Sequence, residues 1–306
     1  MARRLVPWLA GVVALAGPFV GAAEEVTPPH VFQAARQMAA DVDALRNYMG
    51  RPEVTAAGWV VDYAEPRHVY YQAQTLARKV NRLVQQINGA ETALPEPPIG
   101  EILPAHVLGL VRGAHEAING VQQEVGAPVA GVEVRFDADR APRDVLREIV
   151  QINRQINLLL DTPIRPEDVY GRIELAAAYV AGKLTDDPAE PVYGTLPPFE
   201  TGKRPVDVYR RVLTCLGIAQ RIGESRGIRV LDLNTRREER RRDIAPSDVY
   251  HLATTLLAEL AHLTLELDAH DVDLPPIERP AYIFPSHVFR MAGMLEDELN
   301  RLEASL

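Results

Sequence analysis

The sequence predicts an all-α protein of eight similar helices, and three observations support this. A short phrase recurs eight times: proline, any residue, histidine or aspartate, valine, then usually an aromatic residue. Apolar residues after each phrase return with a helical period. The phrase also has the residue order of a helix start. The eight prolines are Pro28, Pro66, Pro104, Pro142, Pro166, Pro205, Pro246 and Pro285.

The spacing of the phrase indicates a repeat. The prolines lie 38, 38, 38, 24, 39, 41 and 39 residues apart. At offsets 0, 4, 7, 11, 14 and 18 from each valine, 44 of 48 positions are apolar, about twice what a hydrophobic content of 47% would give. Alternating steps of four and three are typical of helices that pack side by side in a bundle. The pattern predicts helices of roughly 20–24 residues.

Each phrase is explained as a helix start. Proline at the first helical position sacrifices no hydrogen bond, because that N–H has no partner within the helix. The histidine or aspartate then occupies the third position, where its side chain reaches back toward free N–H groups. Aspartate there also complements the helix dipole. An apolar residue two positions before the proline, such as Val26 or Ile102, serves as a hydrophobic staple on the valine.

The connectors divide the chain into two halves. Most connectors have about 15 residues, but the link Thr162–Arg165 between the fourth and fifth helices is short. We therefore expect two four-helix lobes, residues 24–163 and 164–306, with one continuous α-solenoid as the alternative. A 15-residue connector spans up to ~50 Å, so its length is compatible with more than one helix order. Three connectors carry an extended run: Trp59–Tyr63, Val132–Phe136 and Ile228–Asp232.

Residues 1–23 predict export. Arg3 and Arg4 precede an apolar stretch of about 16 residues, and Gly21-Ala22-Ala23 then suits a signal peptidase. The stretch is shorter than the ~20 residues of a spanning helix, so we expect a cleaved signal, a periplasmic or secreted protein, and no membrane span after cleavage. An uncleaved anchor is the alternative. The net charge of −9 opposes nucleic-acid binding, which needs a basic surface.

The histidine or aspartate of the phrase is the candidate metal ligand. Several such side chains at one end of a lobe would hold Zn²⁺ or a similar divalent ion. The sequence favours helix capping instead, because an antiparallel bundle would place successive starts at opposite ends. The eight candidates are His30, His68, His106, Asp144, Asp168, Asp207, Asp248 and His287.

Other polar residues have plain structural interpretations. Cys215 falls at a core position, which predicts a buried small apolar side chain. His251 and His262 share one helix face but lie outside the core positions, and His270–Asp273 is expected to form a polar helix end. The charged run Arg236–Asp243 is expected to be a solvated connector. The aromatic residue after each valine is expected to pack beneath connectors, with a repeated binding groove as the alternative.

The sequence predicts no catalytic or cofactor-binding residue. It contains no phosphate-binding loop, zinc-protease motif, dinucleotide fingerprint or nucleophile elbow, so it does not indicate an enzyme. The expected function is that of an exported helical-repeat scaffold that contacts another envelope or secreted protein through connectors that differ between repeats. The alternative is a metal-ion or small-ligand binding or sensing protein that uses the histidine and aspartate positions. The oligomeric state is left open.

Overall fold

All eight predicted helices form, and each begins at the proline of its phrase. The structure, a computed structural model, describes residues 25–52, 58–90, 93–96, 98, 100–184, 193–267 and 277–306. The long helices have 18 to 23 residues. They are α1 (Pro28–Tyr48), α2 (Pro66–Asn88), α3 (Pro104–Val125), α4 (Pro142–Leu159), α5 (Pro166–Leu184), α6 (Pro205–Arg226), α8 (Pro246–Glu266) and α9 (Pro285–Ser305). A single extra turn, α7 (Thr235–Glu238), lies in the connector before α8.

The core consists of the apolar positions predicted from the sequence. Apolar residues at the first five offsets are buried in every repeat, as Leu45, Leu83 and Ile118 illustrate. Lys183, the one polar residue at these positions, is only half-buried. The side chains that repeat in steps of three and four therefore face inward, and their removal from water is the main favourable contribution to folding.

The helices form two four-helix lobes. In the first lobe α1 packs on α3 and α4, and α2 packs on the same two helices. In the second lobe α5 and α6 each pack on α8 and α9. In both lobes the first and second helices are therefore diagonal to each other, and so are the third and fourth. Around the ring of each lobe the helices occur in the order first, third, second, fourth.

The helices of each lobe all run in the same direction. One small cavity is lined by the starts of α1 to α4, and another by the starts of α5, α6, α8 and α9. The helix ends meet at the other end: Tyr48 donates to the Val125 carbonyl over 3.0 Å, and Arg226 donates to the Leu306 carbonyl over 2.8 Å. Each lobe is therefore a parallel bundle. The expectation of an antiparallel bundle, with successive helix starts at opposite ends, is wrong. Because each helix of a lobe starts at the same end, the chain must return between successive helices by the length of a helix, about 33 Å for 22 residues.

The two lobes lie antiparallel to each other. Along their contact, His68 of α2 lies beside Glu259 of α8, whereas Lys79, farther along α2, lies beside His251, nearer the start of α8. This reversal explains the short link, because the end of α4 is already close to the start of α5. It also offsets the helix dipoles, which add within each parallel lobe and oppose between lobes.

A small β-ribbon joins connectors of the two lobes. Strand β1 (Val61–Tyr63) pairs antiparallel with β2 (Asp232–Leu233). The predicted extended run Trp59–Tyr63 contains β1, whereas β2 overlaps the predicted run Ile228–Asp232 only at Asp232. The third, Val132–Phe136, forms no strand, although its path is free of turns and bends.

The returning connectors cover the outer faces of neighbouring helices. The connector that leads into α4 lies on α1, where Gln33 donates to the Val134 carbonyl over 2.7 Å. The connector into α6 lies on α9, and the connector into α8 lies on α6. If α5 were preceded by a long connector, the same arrangement would place that connector over α8. The link between α4 and α5 is too short to do so. The uncovered face of α8 packs on α2 of the other lobe instead.

Candidate functional site

The starts of the four helices of each lobe surround a small apolar cavity. In the first lobe the cavity is lined only by the proline and valine of each phrase, such as Pro28 and Val31. The second cavity has the same lining, for example Pro166 and Val169. The four copies of the phrase in each lobe thus meet at one end of that lobe. The side chains that face inward there belong to prolines and valines, which offer no metal-ligand atoms.

The histidine and aspartate side chains cap their own helices. Each accepts a hydrogen bond from the backbone N–H three residues earlier; for example, Thr27 donates to Nδ1 of His30 over 3.1 Å and Arg204 donates to Asp207 over 2.8 Å. The other capping side chains, with bonds of 2.7–3.1 Å, are His68, His106, Asp144, Asp168, Asp248 and His287. Within the described ranges no group of three histidine, cysteine, aspartate or glutamate residues is placed to hold a metal ion.

The aromatic residue of the phrase lies beneath a connector in four repeats, as expected. The guanidinium of Arg140 lies 4.5 Å from the ring centre of Phe32, and that of Arg241 lies 5.7 Å from the ring centre of Tyr209. Tyr170 and Phe289 are contacted in the same way by Arg279 and Lys203. The ring of Tyr250 differs, because the residue that contacts it is Arg172 of helix α5.

The seam between the lobes is lined with buried polar side chains. Lys79 is buried there, and its amine donates to the Asn153 carbonyl over 3.0 Å and lies 2.9 Å from Nε2 of His251. Burial lowers the pKa of Lys79 to about 7. Burial, together with the nearby Lys79 amine, also lowers the pKa of His251 well below its ordinary value. His251 therefore stays neutral, and its Nε2 accepts the hydrogen from Lys79.

Asp248 at the start of α8 is the centre of a second buried group. Arg154 of α4 contacts it over 2.9 Å, and Arg241 approaches to 3.6 Å. Arg241 also pairs with Glu238 over 3.1 Å, and Tyr209 donates to Glu238 over 2.7 Å. Burial and the Glu238 charge raise the pKa of Tyr209, so its hydroxyl remains a donor. Because buried charges are strongly destabilising without partners, this chain of contacts fixes α4, α6 and α8 relative to one another.

His68 links a helix cap to the seam. Its Nδ1 accepts from the Glu65 N–H over 2.7 Å, so the ring hydrogen lies on Nε2, which faces a carboxylate oxygen of Glu259. Arg67 approaches the other oxygen of Glu259 to 3.7 Å. The same imidazole therefore caps α2 and directs an N–H toward a buried carboxylate of the opposite lobe.

Sequence reasoning missed this seam for an identifiable reason. His251 and His262 lie outside the core positions of their own lobe, so the core pattern alone predicts no packing partner for them. They belong to a second stripe on α8, in which polar residues recur in steps of three and four, and α2 carries a matching stripe. The two stripes are Asp248, His251, Thr255, Glu259 and His262 on α8, and His68, Gln72, Thr75, Lys79 and Arg82 on α2.

The other sequence expectations have mixed outcomes. Cys215 is buried, as expected, and burial raises its pKa. The charged run is not simply solvated, because Glu238 is 1% exposed and pairs inward. The signal segment 1–23 and the polar run His270–Asp273 lie outside the described residues.

Comparisons with known proteins add no assignment. No family model, curated protein or solved structure matches the chain. Among the described residues, no helix is both long and apolar enough to cross a lipid bilayer.

Proposed function

We propose that this chain is an exported scaffold that binds another protein of the cell envelope through an aromatic patch on its second lobe. The patch consists of Phe199, Tyr282 and Phe284, which are 45%, 76% and 61% exposed. Phe199 and Phe284 flank the ring of His287, with ring centres 4.8 and 5.8 Å from it. The two exposed rings around His287, with the exposed Tyr282 two residues before Phe284, are the observation that carries the proposal.

The chemistry of the patch suits a protein partner. Exposed tyrosine and phenylalanine side chains provide a large contact area and lose little conformational entropy on binding. Grouped exposed apolar residues mark interaction surfaces more often than isolated ones do. All three residues belong to connectors, the part of the chain that differs between repeats.

The patch is held in place before binding. The connector that carries Phe199 is fixed to the start of α9, where the Lys203 N–H donates to Ser286 over 3.1 Å and Arg290 donates to the Pro197 carbonyl over 2.6 Å. A surface that is already ordered loses less conformational freedom when a partner binds. The parallel helices thus serve as a rigid support for the patch.

A differential binding experiment tests the proposal. The purified protein is used as bait against an envelope extract, beside a variant with Phe199→Ser, Tyr282→Ser and Phe284→Ser. Leu265→Ser, which removes another exposed apolar side chain of the same lobe (73% exposed), is the control. We expect at least one protein that the wild type and the control retain and the triple variant loses. Retention of the same proteins by all three baits would refute the patch as the binding surface.

The proposed location has a separate test. Cell fractionation followed by mass determination is expected to find a soluble periplasmic or secreted product that begins near Glu24. A product that keeps residues 1–23 and sediments with membranes would contradict the cleaved signal.

A further inference from the structure

The connector between α3 and α4 contains an extended run that has no strand partner. Residues 132–137 follow Gly131, whose φ is +60°, on a path without turns or bends. Within the part of the chain that the structure describes, no backbone–backbone hydrogen bond involves Val132–Phe136. Short strands in two other connectors pair with each other as β1 and β2. An extended segment with free N–H and carbonyl groups is a template for strand pairing.

This run is fixed on the lobe yet exposed on its outer side. Gln33 of α1 holds the Val134 carbonyl over 2.7 Å, and the Ala130 N–H donates to Asp41 over 2.7 Å. Val132 and Phe136 nevertheless remain 52% and 44% exposed. The run is therefore held in an extended form on a helix, with apolar side chains that are still open to solvent.

The free edge of the run follows from the contact with Gln33. In an extended chain, successive residues direct their backbone groups to opposite edges. Because the Val134 carbonyl faces α1, the backbone groups of Glu133 and Arg135 face the opposite, open edge. Those are the groups that a further strand would engage.

The sequence of the run is complementary to itself in the antiparallel sense. With Val134 opposite its own copy, Val132 lies opposite Phe136, and Glu133 lies opposite Arg135. Both are favourable cross-strand pairs, one between a β-branched and an aromatic residue and one between opposite charges. The register also makes Glu133 and Arg135 the hydrogen-bonded pair, which is what the open edge requires.

We propose that two copies of this chain associate through antiparallel pairing of Val132–Phe136, with Val134 facing itself across a two-fold axis. The pairing resembles the β1–β2 ribbon but joins two molecules. An interface centred on five residues is smaller than those of stable dimers, so the association is weak and depends on concentration. It uses a different lobe from the aromatic patch and does not rest on the proposed function.

Charge reversal tests the pairing. Sedimentation equilibrium of the purified protein, from micromolar to millimolar concentration, is expected to show reversible dimers. Arg135→Glu places two glutamates opposite each other and should weaken association about tenfold or more. The double variant Glu133→Arg, Arg135→Glu restores opposite charges and should restore association. A wild type that stays monomeric, an unaffected Arg135→Glu variant, or a folded double variant that fails to recover would each overturn the proposal.

Cross-linking tests the register. Residues of a non-hydrogen-bonded antiparallel pair have Cα atoms about 4.5 Å apart, which a disulfide accommodates. Val134→Cys is therefore expected to form a covalent dimer under mild oxidation, and the buried Cys215 does not compete. Val129→Cys, which is exposed on the same connector but out of register, is the control. Equal rates of cross-linking in the two variants would overturn the proposed register.

Both tests are independent of the aromatic patch. Arg135→Glu leaves Phe199, Tyr282 and Phe284 unchanged, so loss of dimers with retained partner binding would separate the two surfaces. Loss of partner binding in the triple serine variant, with dimers retained, would separate them in the opposite direction.

Discussion

Replacement of Lys79 by methionine should change how the stability of this protein depends on pH. The Lys79 amine lies in the seam between the lobes and contacts two neutral groups within 3.0 Å, the Asn153 carbonyl and the His251 ring. Burial therefore disfavours its charged form, despite the nearby Asp248 carboxylate. Methionine preserves the length of the side chain and removes its titration.

The magnitude follows from the difference between the two states of the chain. Lysine in an unfolded chain has a pKa near ~10.4, whereas the pKa of Lys79 in the folded protein is lowered to about 7. Below pH 7 both states carry the proton. Between these two values the unfolded chain binds more protons, so stability rises with pH, by about 5 kcal/mol in total. About 2 kcal/mol of that gain should fall between pH 7 and about pH 9.

Denaturant unfolding at several pH values measures this contribution. The free energy of unfolding of the wild type should rise from pH 7 to pH 9 relative to that of Lys79→Met, by the amount given above. Cys215 also titrates differently in the two states, but it is present in both chains and cancels from the difference. Lys203→Met, which removes a lysine from a connector, should keep the wild-type slope. Parallel curves for the wild type and Lys79→Met would refute a buried amine with a lowered pKa.

Three further sites test the caps, the buried Glu238 carboxylate and the packing, and all are measured by denaturant unfolding. Asp207→Ala removes the acceptor for the Arg204 N–H and should cost about 1 kcal/mol, with most of the loss recovered in Asp207→Asn; no measurable loss would contradict the capping role. Tyr209→Phe leaves the buried Glu238 without a 2.7 Å hydrogen bond and should cost about 1–3 kcal/mol; a neutral effect would mean that Arg241 alone satisfies Glu238. Gly223→Ala would place a Cβ 2.6 Å from Val230 and should cost about 1–3 kcal/mol. Gly217→Ala in the same helix has no atom within 4 Å and should instead stabilise by up to about 1 kcal/mol; equal effects of the two would refute the close contact.

The polar residues of the seam between the lobes form a recognisable pattern in the sequence of each helix, but the sequence does not show which helix each pattern packs against. The stripe from His68 to Arg82 on α2 and the stripe from Asp248 to His262 on α8 both repeat in steps of three and four. Each stripe taken alone has the spacing of an ordinary solvated helix face. Their central members, such as Gln72, Lys79 and His251, are buried only because the two helices face each other, and no spacing within one helix contains that information.

The charged connector shows the same limit of local patterns. Arg236–Asp243 has the composition of a solvated segment, and Glu238 and Arg242 have the spacing of an exposed helical pair. In the structure Glu238 turns inward to Tyr209, a residue 29 positions away. The Tyr209 hydroxyl and Arg241 both contact the Glu238 carboxylate. The contact with Tyr209 exists only once α6 and the connector have packed together in the lobe.

The sequence by itself determined the eight helix starts, the inward face of each helix and the division into two sets of four. These depend on short-range physics: a proline and a capping side chain act within four residues, and the steps of three and four define one apolar face. Only the tertiary structure decided that the helices of a lobe run parallel, that the lobes oppose each other, and that α8 packs on α2. Those outcomes depend on where connectors of about 15 residues lie, because α8 is available to the other lobe only where the short link leaves its outer face uncovered.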